Sequence, residues 1–415
     1  MSAFAYRDGE LYAERVSLAA IAAQFGTPAY VYSRAALERA YRAFDSAFAD
    51  VDHLVCYAMK ANPNLAILDL LARLGSGFDI VSGGELARVL AAGGDPRKVV
   101  FSGVGKTRAE MEAALDAGIL CFNVESAAEL DALAAVAAQR GQVAPVSIRV
   151  NPDVDPKTHP YISTGLKESK FGVAFDDALP LYRHAAALPS IAVTGIDIHL
   201  GSQITDLSVY VEAAVKMFGL VDRIEAAGIH LEHVDLGGGL GIRYRDEETI
   251  DAYEYALAVR QACGGHRQRL LFEPGRWIVG PAGVLLTRVE YLKPGGAKDF
   301  AIVDAAMNDL LRPALYEAWH AVLPVRPRTG ETRRWDIVGP VCESADFLAH
   351  DRSLALAQGD LLAIGAAGAY GMAMSSNYNA RPRPCEVIVD GDAVHQVRAR
   401  ERIDDLFALE SRLPR

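Results

Sequence analysis

Cysteine is scarce and unpaired by spacing: Cys56, Cys121, Cys263, Cys342 and Cys385 are scattered over 415 positions without a C-x-x-C. An odd, dispersed set excludes a disulfide framework and a cysteine-based zinc site, and it fits a reducing cytoplasm. No metal is expected. Blocks of lysine and arginine are missing, basic and aromatic residues do not interleave, and the formal net charge is −11. A nucleic-acid or anionic-membrane surface is therefore not expected, and small molecules are the natural partners. No run is long and charge-free enough to span a bilayer, and Met1–Glu10 lacks a basic segment followed by an apolar core, so neither an anchor nor a leader is read. Low-complexity segments and repeats beyond a βα alternation are also lacking.

What the chain does have is core: 51% of its residues are hydrophobic, enough for one large and one smaller domain that fold without staples. The opening residues predict a hairpin at Asp8-Gly9, a helix capped by Ser17 and running to about Gln24, and a strand at Ala29–Tyr32. From His53 onward, short β-branched runs alternate with Ala/Leu-rich stretches, the pattern of repeated βα units on a parallel sheet. The candidate strands are His53–Lys60, Phe78–Ser82, Val99–Gly103, Cys121–Glu125, Val146–Asn151, Val193–Gly201, His233–Gly237 and Arg269–Glu273. About eight such strands over roughly 250 residues make a (β/α)8 barrel. Its expected extent is 30–280. Beyond Pro281 the strand-like runs Val284–Tyr291, Asp299–Asp304 and Glu386–Asp390 are divided by Pro/Gly turns. They predict a second, all-β domain over 281–415 that takes up the arm 1–29. The fold class is thus α/β plus all-β.

Barrel enzymes set their chemistry at the carboxyl ends of strands. The first strand ends in Lys60 and the second offers Asp79. The sixth ends His199-Leu200-Gly201-Ser202-Gln203, the seventh opens into Gly237–Gly241, and the eighth into Glu273-Pro274-Gly275-Arg276. Glycines after the seventh strand expose backbone N–H groups where barrels commonly bind phosphate. Together a lysine, a phosphate cradle, a carboxylate and a stacking histidine match the needs of pyridoxal 5'-phosphate. Lys60 would bond its aldehyde, and Glu273 would keep its ring nitrogen protonated. Each residue also has a plainer reading. Lys60 is a solvated strand-end charge, the glycines are a tight turn, Glu273 pairs with Arg276, and His199 is a satisfied core histidine.

The motifs Tyr57–Asn62, Asp79–Leu86, His159–Gly165 with Lys170–Gly172, His199–Gln203, Gly237–Gly241, Glu273–Arg276, Val341–Ser344 and Gly368–Gly371 stand in one order along nearly the whole chain. In that order they resemble the diaminopimelate decarboxylases, pyridoxal-phosphate enzymes built on an alanine-racemase-like barrel plus a β-domain. The resemblance implies a homodimer with shared active sites. In it Cys342, a bare structural cysteine by composition, is the acid that protonates Cα, and it reaches into the neighbouring subunit's site. Glu343 recognises the far end of the substrate from that neighbour. Arg276, Arg312 and Tyr316 grip the distal carboxylate, and Tyr370 contacts phosphate and substrate. Asp79, His199, Ser202, Gly238, Gly239, Glu273, Gly275 and Arg276 hold the cofactor. His159–Gly172 resembles a mobile loop over the site.

One position departs from the pattern. Ala345 stands in the cysteine motif where the resemblance implies glycine. The implied reaction converts meso-2,6-diaminopimelate to L-lysine and CO2, the last step of lysine biosynthesis. A decarboxylase of ornithine, arginine or a carboxylated polyamine is the alternative, and Glu343 with two arginines counts against it. A racemase would need an arginine in place of Glu273. A cofactor-binding homologue without turnover has no use for both Lys60 and Cys342.

Overall fold

The computed structural model describes residues 3–155, 170–296 and 298–415. It divides into two compact units: one of Ala40–Arg243 with Glu247–Trp277, the other of Met1–Arg39, Tyr244–Asp246 and Ile278–Arg415.

The first unit is a closed parallel barrel. Its strands are β1 (His53–Ala58), β2 (Gly77–Ile80), β3 (Val99–Phe101), β4 (Cys121–Val124), β5 (Ala144–Asn151), β6 (Ile191–Asp197), β7 (His233–Asp235) and β8 (Arg269–Phe272). Each pairs with the next in parallel, and Leu270 of β8 opposite His53 of β1 closes the ring. Most of the helices between them start where the sequence places a cap; Phe175–Ala186, preceded by Ala174, has no side-chain cap. Asn64, Ser82, Ser126, Asp206 and Asp251 each accept a first-turn N–H, and Thr107 with Glu110 forms a reciprocal capping box. Inside, Leu54, Cys56, Val100, Cys121 and Leu271 pack together. Outside β8, Phe272 lies 4.1 Å from Phe48 between ring centroids, with Phe44 at 5.6 Å.

Seven of the eight strands end earlier than the sequence pattern predicts, β1, β6 and β7 among them. β1 stops at Ala58, and Met59–Ala61 forms a 3-10 turn that carries Lys60. β6 stops at Asp197 and β7 at Asp235, so His199 and the glycines stand on loops. The apolar run alone does not reveal this, because loop residues buried against a barrel mouth are as hydrophobic as strand residues.

The second unit is built on a mixed sheet in the order Phe347–Leu354, Arg333–Val338, Asp299–Val303, Gly283–Lys293, Ala29–Ser33, Cys385–Asp390, Ala393–Arg398. Ala29–Ser33 runs antiparallel to Gly283–Lys293 and parallel to Cys385–Asp390, with all five residues buried. This strand therefore belongs to the second sheet, although residues 30–33 fall inside the barrel extent expected from sequence. A short strand buried on both faces reads the same in either setting; only its partners distinguish them. The arm folds as expected, with Phe4–Arg7 and Glu10–Ala13 paired about Asp8-Gly9 and Ser17 capping Leu18–Phe25. Leu11, Leu18 and Ile21 join Val31, Leu286, Ala363 and Val387 in one core. The unit is not purely β, since the short helix Arg312–Tyr316 carries two residues of interest. Among the described residues, no helix is long and apolar enough to cross a membrane.

Candidate active site

The carboxyl ends of the barrel strands collect buried polar side chains that a purely structural core would not spend. Asp79 on β2, Asn123 on β4, Arg149 on β5, Asp197 on β6 and Asp235 on β7 are all buried near their strands' ends, as are Ser102, Glu125 and Glu273 just beyond β3, β4 and β8. Burying so many polar groups is costly unless they are paired or functional.

Lys60 donates to Asp79 Oδ2 at 2.5 Å. The aspartate is fully buried while the lysine is one-third exposed. Burial pushes the Asp79 carboxyl up and the nearby Glu273 adds to it, while Lys60 pulls it back down. Glu273 follows the same logic: burial raises its pKa, and Lys60 and Arg149 lower it. Its charge is thus favoured by nearby cations and, to a smaller extent, by the Ser102 hydroxyl. Ser102 Oγ lies 3.5 Å from Glu273 Oε1 and is itself fixed by Asn123 Nδ2 at 3.1 Å. His199 Nδ1 lies 3.4 Å from both Glu273 Oε2 and the Gly238 N–H. Burial, then Lys60 and Arg149, push this imidazole down to about 3, so it is neutral at physiological pH.

The glycine turn after β7 is shaped by backbone crowding. A Cβ at Gly238 would stand 2.1 Å from the Glu273 carbonyl oxygen, and one at Gly239, with φ +97°, would stand 2.5 Å from Gly201 O. Only glycine allows these close approaches. The turn is anchored by Gly237 N–H donating to Asp235 Oδ1 at 2.8 Å and by Glu273 N–H donating to Gly237 O at 2.7 Å. Arg276 Nη2 donates to Ser202 Oγ at 2.9 Å, which sets a cation and a hydroxyl side by side. Gly275 lets the chain pass Ala58, where a Cβ would meet the carbonyl at 3.0 Å. A glycine cradle, an arginine with a serine, a buried carboxylate and a lysine fit a phosphorylated pyridine aldehyde.

The barrel also holds groups the sequence reading missed. Carboxylate oxygens of Asp197, Asp235 and Glu273 lie within 4.8 Å of one another, all buried. Burial and mutual repulsion drive Asp197 and Asp235 well above the carboxylate range. Glu125 accepts from Gly103 N–H at 2.8 Å, Gly172 N–H at 3.0 Å and Arg149 at 3.3 Å. Arg149 also covers the Phe171 ring at 4.9 Å. The sequence signal was present: a single polar residue interrupting an apolar strand, as in Cys-Phe-Asn-Val or His-Val-Asp-Leu. Of the segment His159–Gly172, residues 159–169 lie outside the described residues.

In the second unit, Cys342 and Glu343 are exposed on one loop. Cys342 N–H donates to Asn379 Oδ1 at 2.8 Å, and Tyr378 Oη donates to Glu343 Oε2 at 3.1 Å. Asp346 ties the loop down by accepting Met307 N–H at 2.6 Å and Val341 N–H at 2.8 Å. Ala345 is exposed and is not among the residues with positive φ, so its methyl group meets solvent and needs no glycine backbone. Arg312 is buried and its Nη1 lies 3.0 Å from His320 Nε2. Tyr316 and Tyr370 are half-buried, the latter with φ 55°.

Comparison with known proteins agrees over the full length. The family described as pyridoxal-dependent decarboxylase, pyridoxal binding domain, matches residues 34–280. Diaminopimelate decarboxylase of Pseudomonas aeruginosa is 62% identical, with 100% of both chains covered. The solved structure of diaminopimelate decarboxylase from Helicobacter pylori complexed with L-lysine is 44% identical, with TM-score 0.92 over 94% of this chain and 98% of that one. That from M. jannaschii, also in co-complex with L-lysine, is 38% identical with TM-score 0.95 over 99% and 98%. The chain belongs to the diaminopimelate decarboxylase family of pyridoxal-dependent decarboxylases.

Proposed function

We propose that the protein uses pyridoxal 5'-phosphate to decarboxylate meso-2,6-diaminopimelate to L-lysine and CO2. The observation that carries the reading is the grouping of Lys60, Glu273 and the glycine turn at the carboxyl ends of one barrel. Full-length relatives of the same activity support the substrate over ornithine or arginine.

When bound, the cofactor supplies the sink for the electron pair left as the Cα–carboxylate bond breaks. The chain's residues do the rest. Lys60 would hold the aldehyde end, with Asp79 as its charge partner. Gly238, Gly239, Gly275, Ser202, Arg276 and Tyr370 would receive the phosphate, and neutral His199 would pack against the ring. Glu273 would hold a proton at the ring nitrogen. Cys342 delivers a proton to Cα once CO2 has left. Arg276, Arg312 and Tyr316, with Tyr370 and Glu343, recognise the distal amino-acid end, and that binding energy orients the scissile bond.

The protein acts as a homodimer in which Cys342 and Glu343 serve the neighbour's site. Their exposure on one tied-down loop supports this. The barrel unit binds the cofactor and the second unit supplies dimer and substrate contacts. Five free thiols support a cytoplasmic location. The test is CO2 release from a substrate panel: diaminopimelate should be turned over at least about 100-fold more efficiently than ornithine or arginine, which cannot satisfy buried polar groups built for the distal end. Comparable efficiencies would overturn the assignment.

A further inference from the structure

In the second unit Arg312, assigned above to the distal carboxylate, meets two residues that the decarboxylation reading does not use, Tyr244 and His320. Arg312 opens the helix Arg312–Tyr316 and is 6% exposed; His320, at the end of the following turn, is 0% exposed. The guanidinium carbon of Arg312 lies 4.7 Å from the centroid of the Tyr244 ring. The His320 ring meets the same tyrosine edge-on, with centroids 5.2 Å apart and planes at 78°. His320 Nε2 lies 3.0 Å from Arg312 Nη1, and its Nδ1 lies 2.8 Å from the carbonyl oxygen of Gly365.

The partners decide the tautomer. A carbonyl oxygen only accepts, so Nδ1 carries the hydrogen; a guanidinium only donates, so Nε2 is the bare acceptor. His320 is therefore a neutral ring clamped at both nitrogens. Its own backbone carbonyl is held in turn, accepting from Arg352 Nη2 at 3.0 Å. Arg312 is thus covered on one face by an aromatic ring and held at one nitrogen by a fixed acceptor. An arginine side chain left to itself loses much rotamer freedom on binding a carboxylate; one already clamped loses less.

We infer that His320 and Tyr244 are positioning residues for Arg312, holding its guanidinium ready for the carboxylate at the distal end of the substrate. The inference rests on the assignment of Arg312 to that carboxylate. Both ring nitrogens of His320 are engaged by Arg312 and Gly365, so its effect is expected to reach the substrate through Arg312 and to fall on binding. This identifies a determinant of specificity outside the contact shell.

The experiment measures kcat and KM for meso-diaminopimelate on the cofactor-loaded enzyme. His320→Phe keeps an aromatic ring but removes both hydrogen bonds, and it should raise KM about tenfold or more with kcat within about twofold. His320→Gln, whose amide can accept from Arg312 and donate to Gly365, should restore most of the loss. Tyr244→Leu, at a half-buried site, should raise KM about threefold or more. Combined with Arg312→Ala, His320→Phe should add no further rise. An unchanged KM in His320→Phe and Tyr244→Leu, or additive effects in the double variant, would overturn the inference. So would His320→Gln being as impaired as His320→Phe with kcat reduced in both, which marks a purely structural role. If Arg312→Ala itself leaves KM unchanged, the assignment of Arg312 is wrong; if it raises KM while His320→Phe does not, only the inference drawn here is wrong.

Discussion

Replacing Gly238 with alanine tests the phosphate cradle through one methyl group. The new Cβ would stand 2.1 Å from the Glu273 carbonyl oxygen and 2.9 Å from its carbonyl carbon, where ordinary contact begins at 3.4 Å. Both obstacles are backbone atoms, so no side-chain rotation relieves the clash. The turn is tied at Gly237 on one side and to Glu273 N–H on the other, so relief requires moving the turn by about 1 Å, a misplacement that can cost about 100-fold in rate. Overpacking of this kind also costs about 1–3 kcal/mol of stability. Gly219→Ala supplies the contrast. That glycine lies inside the helix Leu207–Ala226 with nothing within 4 Å of an added Cβ, so alanine there should stabilise by up to about 1 kcal/mol. Urea unfolding of cofactor-free protein reads the stabilities, and a spectroscopic titration with pyridoxal phosphate reads the affinity. Gly238→Ala should lose both stability and affinity, Gly219→Ala neither. If Gly238→Ala binds cofactor as well as the parent and unfolds at the same midpoint, the cradle has been misplaced.

Glu273→Gln removes the charge that would hold a proton at the ring nitrogen while keeping the shape; kcat should drop by about 100-fold or more with little change in unfolding midpoint. A loss under about threefold would contradict its assigned role. Mixing inactive Lys60→Ala with inactive Cys342→Ala protein should restore part of the activity through hybrid dimers, and failure of dissociated and reassociated mixtures to recover any would count against a shared site. His233 sits buried at the amino end of β7, where burial and Arg269 push it down from 6.5 to about 4. The unfolded chain then takes up a proton that the folded one refuses, so this residue's share of stability is intact above pH 6.5 and declines as pH falls towards 4, by about 3 kcal/mol. His233→Gln should flatten that part of the stability curve; an identical slope between pH 6.5 and 4 would refute the argument.

Much of the barrel was legible because βα alternation is a strong periodic signal, and all eight strands lie where the apolar runs put them. Their ends were less legible. Lys60 and His199 are on turns, not strands, since burial at a barrel mouth makes both look alike in sequence. Ala29–Ser33 shows the same limit at the level of domains: its apolar pattern does not say which sheet it joins. Lys60, Asp79, His199 and Glu273 could be found because strand ends in barrels are where chemistry collects. Asp197, Asp235 and Arg149 could have been found by the same rule, had single polar interruptions been weighed as heavily as strand-end lysines. His320 could not, because nothing local in the sequence says that its ring would meet Arg312 on one side and Gly365 on the other.

The central claim is that Lys60 and a bound pyridine aldehyde turn diaminopimelate into lysine. The most direct measurement supplies purified protein with pyridoxal phosphate and meso-diaminopimelate and follows lysine and CO2 together, in the parent and in Lys60→Ala. The parent should yield equal amounts of both products and show a yellow lysine-bound cofactor absorbance before substrate is added, and Lys60→Ala should show neither colour nor sustained turnover. Absence of lysine from the parent, or unchanged colour and turnover in Lys60→Ala, would contradict it.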